Sequence, residues 1–146
     1  MAANKKPQDW LHNGLYIQLA SEKEFFQMAK HAPNIVLLFH RTGNPHCRIM
    51  DTHLKILAAK HLEAKFCKLN IENAEFLQKR LRIDRIPETM LVKDGIVVDF
   101  IVGFQELGNR ENFSTAMLEC RIAKSGTISY KPKEKRRGSC KARKGG

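Results

Sequence analysis

Asn34-Ile35-Val36-Leu37-Leu38-Phe39-His40, and after it Asn44-Pro45-His46-Cys47-Arg48-Ile49-Met50-Asp51, is the stretch that decides how this chain folds. Residues 35 to 39 are apolar without alternation, the pattern of a strand buried on both faces of a sheet. Asn44 is a favourable helix N-cap, and Pro45 is pre-set for the first helical position. The segment is therefore a strand, a turn and a helix. Unpaired backbone N–H groups at the helix start favour a thiolate or an anion, and Cys47 lies on that turn. The question it poses is whether this is a reactive centre or part of the packing.

The rest follows outward. Cys47, Met50, Leu54, Leu57, Ala58, His61 and Leu62 recur at spacings of three and four, one apolar stripe with Cys47 on it. Residues 65 to 71 have strand composition, and Asn73 is the expected cap of a helix with Phe76, Leu77, Leu81 and Ile83 inward. Two strands, 89 to 93 and 96 to 102, are joined by Asp94-Gly95, a strong hairpin signal. A last helix carries Phe113, Met117, Leu118 and Ile122, with Gly126 as its stop. Upstream, residues 15 to 19 read as a strand, and Ser21-Glu22-Lys23-Glu24 is a capping box ahead of Phe25, Phe26, Met28 and Ala29. Residues 1 to 9 read as a flexible start, followed by a helical turn in which Trp10 anchors to the domain. The order β-α-β-α-β-α-β-β-α predicts an α/β domain, a mixed β-sheet flanked by helices on both faces.

Composition limits the function. The 146 residues are 42% hydrophobic, enough for one domain with a core. Cys47, Cys67, Cys120 and Cys140 form no CxxC and follow no apolar leader, which predicts free thiols in a reducing compartment and a cytoplasmic protein. No run approaches the roughly 18 apolar residues of a membrane span, so no membrane partner is expected. The formal charge is +11, yet residues 124 to 146 hold nine Lys or Arg against Glu134 alone, leaving +3 for the first 123. The expected organisation is a flexible start at 1 to 9, a domain over 10 to 126 and a disordered basic tail over 127 to 146.

With these elements in place, Ile86-Pro87 before a strand, the Lys93-Asp94-Gly95 hairpin and the strand-turn-helix position of Cys47 together resemble the thioredoxin-like fold. Arg48-Ile49-Met50-Asp51-Thr52-His53-Leu54, the run 66 to 71, Arg85-Ile86-Pro87 and Val102-Gly103-Phe104-Gln105-Glu106-Leu107-Gly108 are similar, more narrowly, to the phosducin-like branch of that fold, over residues 10 to 123. The resemblance implies a cis bond at Ile86-Pro87 beside the turn, forming a protein-binding groove from His46, Arg48, Ile86 and Pro87. The plain alternative is a trans proline that starts an edge strand.

Active thioredoxins use two cysteines, an attacking one at the helix start and a resolving one three residues on. Alignment puts Cys47 at the resolving position and Asn44 at the attacking one. The carboxylate that the family buries in the central strand is replaced by Leu38, although its lysine partner is kept as Lys68. The expectation is a vestigial redox turn at Asn44, Pro45, His46 and Cys47, no enzyme and no cofactor. A monothiol redox protein acting through Cys47 is the alternative, since the helix start, His46 and Arg48 would lower its pKa. Iron–sulfur binding of the monothiol glutaredoxin kind needs a cysteine where Asn44 stands. Zinc is not expected from His40, His46, Cys47 and His53, because no histidine pair falls at i, i+4. Cys67 and Cys120 read as small core residues.

The branch resemblance implies a non-catalytic adaptor, a co-chaperone that binds the cytosolic chaperonin and modulates folding of tubulin or actin. Members of that branch carry a longer helical extension ahead of the domain than the stretch before Trp10 provides. In the tail, Lys133, Lys135, Arg136, Arg137, Lys141, Arg143 and Lys144 suit acidic protein surfaces, non-specific nucleic acid or a nuclear import signal, as well as simple solvation.

Overall fold

A computed structural model describes residues 14–108 and 111–129 of the chain. The central strand is β2 (Asn34–His40), and its lack of alternation has the expected cause. Ile35, Leu37 and Phe39 face one hydrophobic layer while Val36 and Leu38 face the other, and all five are fully buried. Around it run β1 (Tyr16–Leu19), β3 (Lys65–Asn70), β4 (Glu88–Lys93) and β5 (Ile96–Val102) in the spatial order β1-β3-β2-β4-β5. The pairs β1 with β3 and β3 with β2 are parallel; β2 with β4 and β4 with β5 are antiparallel.

Helices α2 (Pro45–Lys60) and α4 (Thr115–Ala123) cover the face of Val36 and Leu38, while α1 (Glu22–Ala29) and α3 (Glu75–Leu81) cover the face of Ile35, Leu37 and Phe39. This is the predicted thioredoxin-like α/β architecture. The hairpin turn places both Asp94 (φ 53°) and Gly95 (φ 80°) in the left-handed region, as a two-residue turn matched to strand twist requires. The Ile86-Pro87 bond is cis.

Several local expectations are corrected. Asn73 does not cap α3: it ends a 3₁₀ turn (Ile71–Asn73) that Asn70 caps through Glu72 N–H. The first turn of α3 is capped instead from α1, where the Glu22 carboxylate accepts the N–H groups of Phe76 and Leu77 at 3.2 and 3.0 Å. In the expected capping box, the Ser21 side chain makes no cap bond, and the Glu24 carboxylate accepts Ala20 N–H. Phe76 and Leu62 are exposed at 56% and 58%, and Met117 at 43%. Phe76 and Met117 lie one step beyond the sector their helices bury, and Leu62 follows the end of α2. The packed chain also runs past Gly126. Thr127 and Ile128 are buried, and Ser129 N–H donates to the Glu63 carboxylate at 2.8 Å. Cys120 is disulfide-bonded while Cys47 and Cys67 are free, which corrects the expectation of free thiols throughout. Trp10 and residues 130 to 146, with the basic cluster, lie outside the described residues. Among the described residues no helix is long and apolar enough to cross a membrane.

Candidate functional site

The site is built at the carboxyl end of β2, where the strand hands over to α2. Asn44 holds the turn: its amide oxygen accepts the backbone N–H groups of His46 at 2.8 Å and Cys47 at 3.2 Å. The first position of the turn is thus a neutral cap whose acceptor is already engaged. Cys47, on the first turn, is 3% exposed. Burial pushes its thiol pKa up, with a backbone hydrogen bond at Arg41 opposing and the nearby Asp51 carboxylate adding to the rise. This is opposite in direction to the lowering expected from the helix start, His46 and Arg48.

Below Cys47 lies a polar group that sequence reading missed. Asp51, one helical turn along α2, accepts the Tyr16 hydroxyl at 2.5 Å and the Lys68 ammonium at 3.0 Å, and Lys68 also sits 5.7 Å from the centroid of the Tyr16 ring. Lys68 lies beside Leu38 in the sheet register. The carboxylate that meets Lys68 therefore comes from the helix. Burial and the Asp51 hydrogen bond push the Tyr16 phenol far above its usual range, so it remains a donor. His40 closes this region with a buried Nε2 that has no hydrogen-bond partner among the described residues; burial and the Lys68 charge lower its pKa, keeping the ring neutral. Cys67 is deeper still, and burial raises its thiol pKa well beyond the ordinary value. The signal for Asp51 was present in the sequence, because i+4 from Cys47 is the same face of the helix.

Beside the turn a cleft of about 480 Å³ opens between His46, Ile86, Pro87, Val102 and Phe104, with Arg85 and Glu111 at its margins. That volume falls in the range of ordinary ligand sites, roughly 300–1,000 Å³. His46, Ile86 and Pro87 come together as expected. Arg48 does not: it is exposed on α2 and takes no part in the lining. One wall is aromatic, with His46 edge-on to Phe104 (5.3 Å, 78°), Phe104 against Phe113 at 5.0 Å, and Phe113 against His53 at 4.5 Å. His53 is anchored by Thr115 at 2.6 Å, and burial lowers its pKa. Glu111 reaches back to His46 Nε2 at 2.8 Å, a contact between segments too distant in sequence for any local pattern to announce. Among the described residues no three His, Cys, Asp or Glu side chains cluster so as to hold a metal ion.

Comparison with known proteins fits this geometry. The thioredoxin family model matches residues 16–116. Phosducin-like protein 3 of Drosophila melanogaster is 59% identical over 130 residues, covering 88% of this chain and 60% of the relative. Human thioredoxin domain-containing protein 9 is 45% identical over 130 residues, covering 88% of this chain and 58% of the relative. The chain thus spans about 60% of the length of the former. Among solved structures, mitochondrial thioredoxin 3 of Saccharomyces cerevisiae superimposes with a TM-score of 0.61 at 23% identity, over 75% of this chain and 94% of that one; at that identity the likeness speaks for the fold. The chain belongs to the thioredoxin family, and within it is similar to the phosducin-like proteins.

Proposed function

We propose that the protein is a non-catalytic thioredoxin-fold adaptor, a phosducin-like co-chaperone that takes part in chaperonin-assisted folding of tubulin or actin. The observation that carries this reading is Asn44, whose amide oxygen is tied to two backbone N–H groups where dithiol exchange needs a free sulfur. The burial and raised pKa of Cys47 support the same reading and weigh against a monothiol enzyme. What the fold retains is a recognition surface, the cleft of His46, Ile86, Pro87 and Phe104, suited to an extended protein segment.

In this reading the cytosolic chaperonin and its cytoskeletal clients are the partners, and the basic cluster at residues 133 to 144 adds electrostatic attraction to acidic protein surfaces. The protein works in the cytoplasm. Affinity capture at physiological salt is expected to recover chaperonin subunits with tubulin or actin. Capture that recovers neither, or insulin reduction that is lost on Cys47→Ser, overturns the reading.

A further inference from the structure

At the end of α2 remote from His46 lies a charged group that the adaptor reading leaves unused. His61 follows the helix as its C-cap, with its N–H bonded to Leu57 O at 2.8 Å, and it is buried. Its ring stands between two carboxylates: Nε2 is 2.5 Å from Glu119 on α4, and Nδ1 is 2.9 Å from Glu63. A neutral imidazole donates from one nitrogen only. With both nitrogens against carboxylates, the His61–Glu119 pair holds one proton more than a neutral ring between two carboxylates, whether that proton rests on the ring or on Glu119. Lys60 of α2 also meets Glu119, at 3.0 Å. Among the described residues, Glu63, Glu119 and Lys60 are the charged groups of this cluster. From β4, Lys93 reaches Gly126 O at 3.3 Å, while Lys65 at the start of β3 and Lys124 at the end of α4 make no ion pair among the described residues.

The Glu63 oxygen that faces the ring also accepts Ser129 N–H, at 2.8 Å. Burial opposes ionisation of Glu63, but these two contacts overcome it and hold its carboxyl below the usual range. The two carboxylates differ in their access to water: the Glu119 side chain is 3% exposed and that of Glu63 is 38%. Once the shared proton leaves, one ring nitrogen turns a lone pair toward a carboxylate. Glu119 is buried and keeps the remaining N–H, so Glu63 is the one that yields. Asn34 Nδ2 holds the Glu63 carbonyl at 3.0 Å, which lets the side chain turn without the backbone. We propose that His61, Glu119 and Glu63 form a proton-operated latch on the chain's exit from the domain. With the proton held, Glu63 stays on the ring and pins Ser129; with the proton lost, Glu63 turns to solvent and Ser129 is released. Ile128 is buried in the core and stays there in both states. The basic run from Lys131 to Lys144 follows directly in the sequence, so the latch sets where that charge is rooted on the domain.

NMR on the full, isotope-labelled chain tests this over a series from about pH 5.5 to about pH 9, the range in which an imidazole gives up its proton. Two quantities are followed: the protonation of the His61 ring nitrogens and the Glu119 carboxyl, and the exchange protection of Ser129 N–H after correction for the base-catalysed intrinsic rate. The extra proton is expected at the low end, and Ser129 protection is expected to fall about tenfold in step with its loss. Glu63→Gln leaves the buried His61–Glu119 contact in place, and its amide can meet the ring as donor or acceptor. In that variant Ser129 protection is expected to stay flat over the same range. Absence of the extra proton at the low end, its retention at the high end, or Ser129 protection that does not follow its loss overturns the proposal. So does the same pH dependence in Glu63→Gln, or an equal loss of protection in the amides of β2, which would mark general loosening instead of a latch. His61 and His46 lie at opposite ends of α2, so the outcome is independent of the cleft.

Discussion

Lys68 on β3 pairs with Asp51 on α2 at 3.0 Å, in register with Leu38 of the central strand. The Lys68 charge beneath the turn is balanced by the carboxylate from the helix. Both side chains are about three-quarters buried, so removing one leaves the other poorly solvated. Asp51→Asn is expected to cost about 1–3 kcal/mol, read as a lower midpoint in urea unfolding. Adding Lys68→Met should cost less than its effect alone, a coupling of roughly 1 kcal/mol in a double-mutant cycle.

The turn itself is testable by adding a second cysteine. Asn44→Cys creates a two-cysteine turn in the frame of Pro45 and His46, and is expected to raise insulin reduction above that of the parent protein. It also removes a cap bonded to two N–H groups, at a cost of about 1 kcal/mol.

Cys47 reactivity follows from the direction of its pKa. Because burial raises it, the thiolate fraction at neutral pH is below that of a free cysteine. Alkylation by iodoacetamide in the folded protein should be slower than that of a model thiol and should keep rising with pH beyond about 8.5, where the model thiol begins to level off. Peptide mapping across a pH series reads it, with Cys67 remaining unmodified until the protein unfolds.

Arg121 clamps Asp99 through two nitrogens at 2.7 and 3.2 Å and also bonds Glu106. Burial opposes ionisation of Asp99, but the Arg121 guanidinium overcomes it and holds the carboxyl below its usual value. A carboxyl with a lowered folded pKa stabilises the fold above the unfolded value, about 3.9, and that contribution disappears as pH falls through the folded one. Arg121→Met is therefore expected to destabilise by about 1–3 kcal/mol at neutral pH and by much less near pH 2. Thermal unfolding at the two pH values measures the difference.

The chain beyond Gly126 should behave as core. Ile128 is 4% exposed and packs with Leu118 and Ile122, whereas Ile96 is 65% exposed on the outer strand. Ile128→Ala is expected to cost roughly 2–4 kcal/mol and Ile96→Ala within about 0.5 kcal/mol. Equilibrium unfolding of the two variants side by side shows it.

The sequence alone determined the elements, their order and the sheet class, because strand burial, capping and turn chemistry act over a few residues. Residues 35 to 39 read as a two-faced strand, Asn44-Pro45 as a helix start and Asp94-Gly95 as a hairpin, and each forms as its composition requires. Asn44 as the cap of that helix was also legible, since it is a matter of residue type. Tertiary structure decided what depends on elements meeting. Glu22 caps a helix more than fifty residues away, Asp51 finds Tyr16 and Lys68 on two different strands, and Glu111 reaches His46. It also decided that Phe76 stays outside and Ile128 goes in. Periodicity places side chains around an element's own axis. Which part of that circumference is covered depends on how closely the neighbouring layer packs against it, and no local pattern carries that distance.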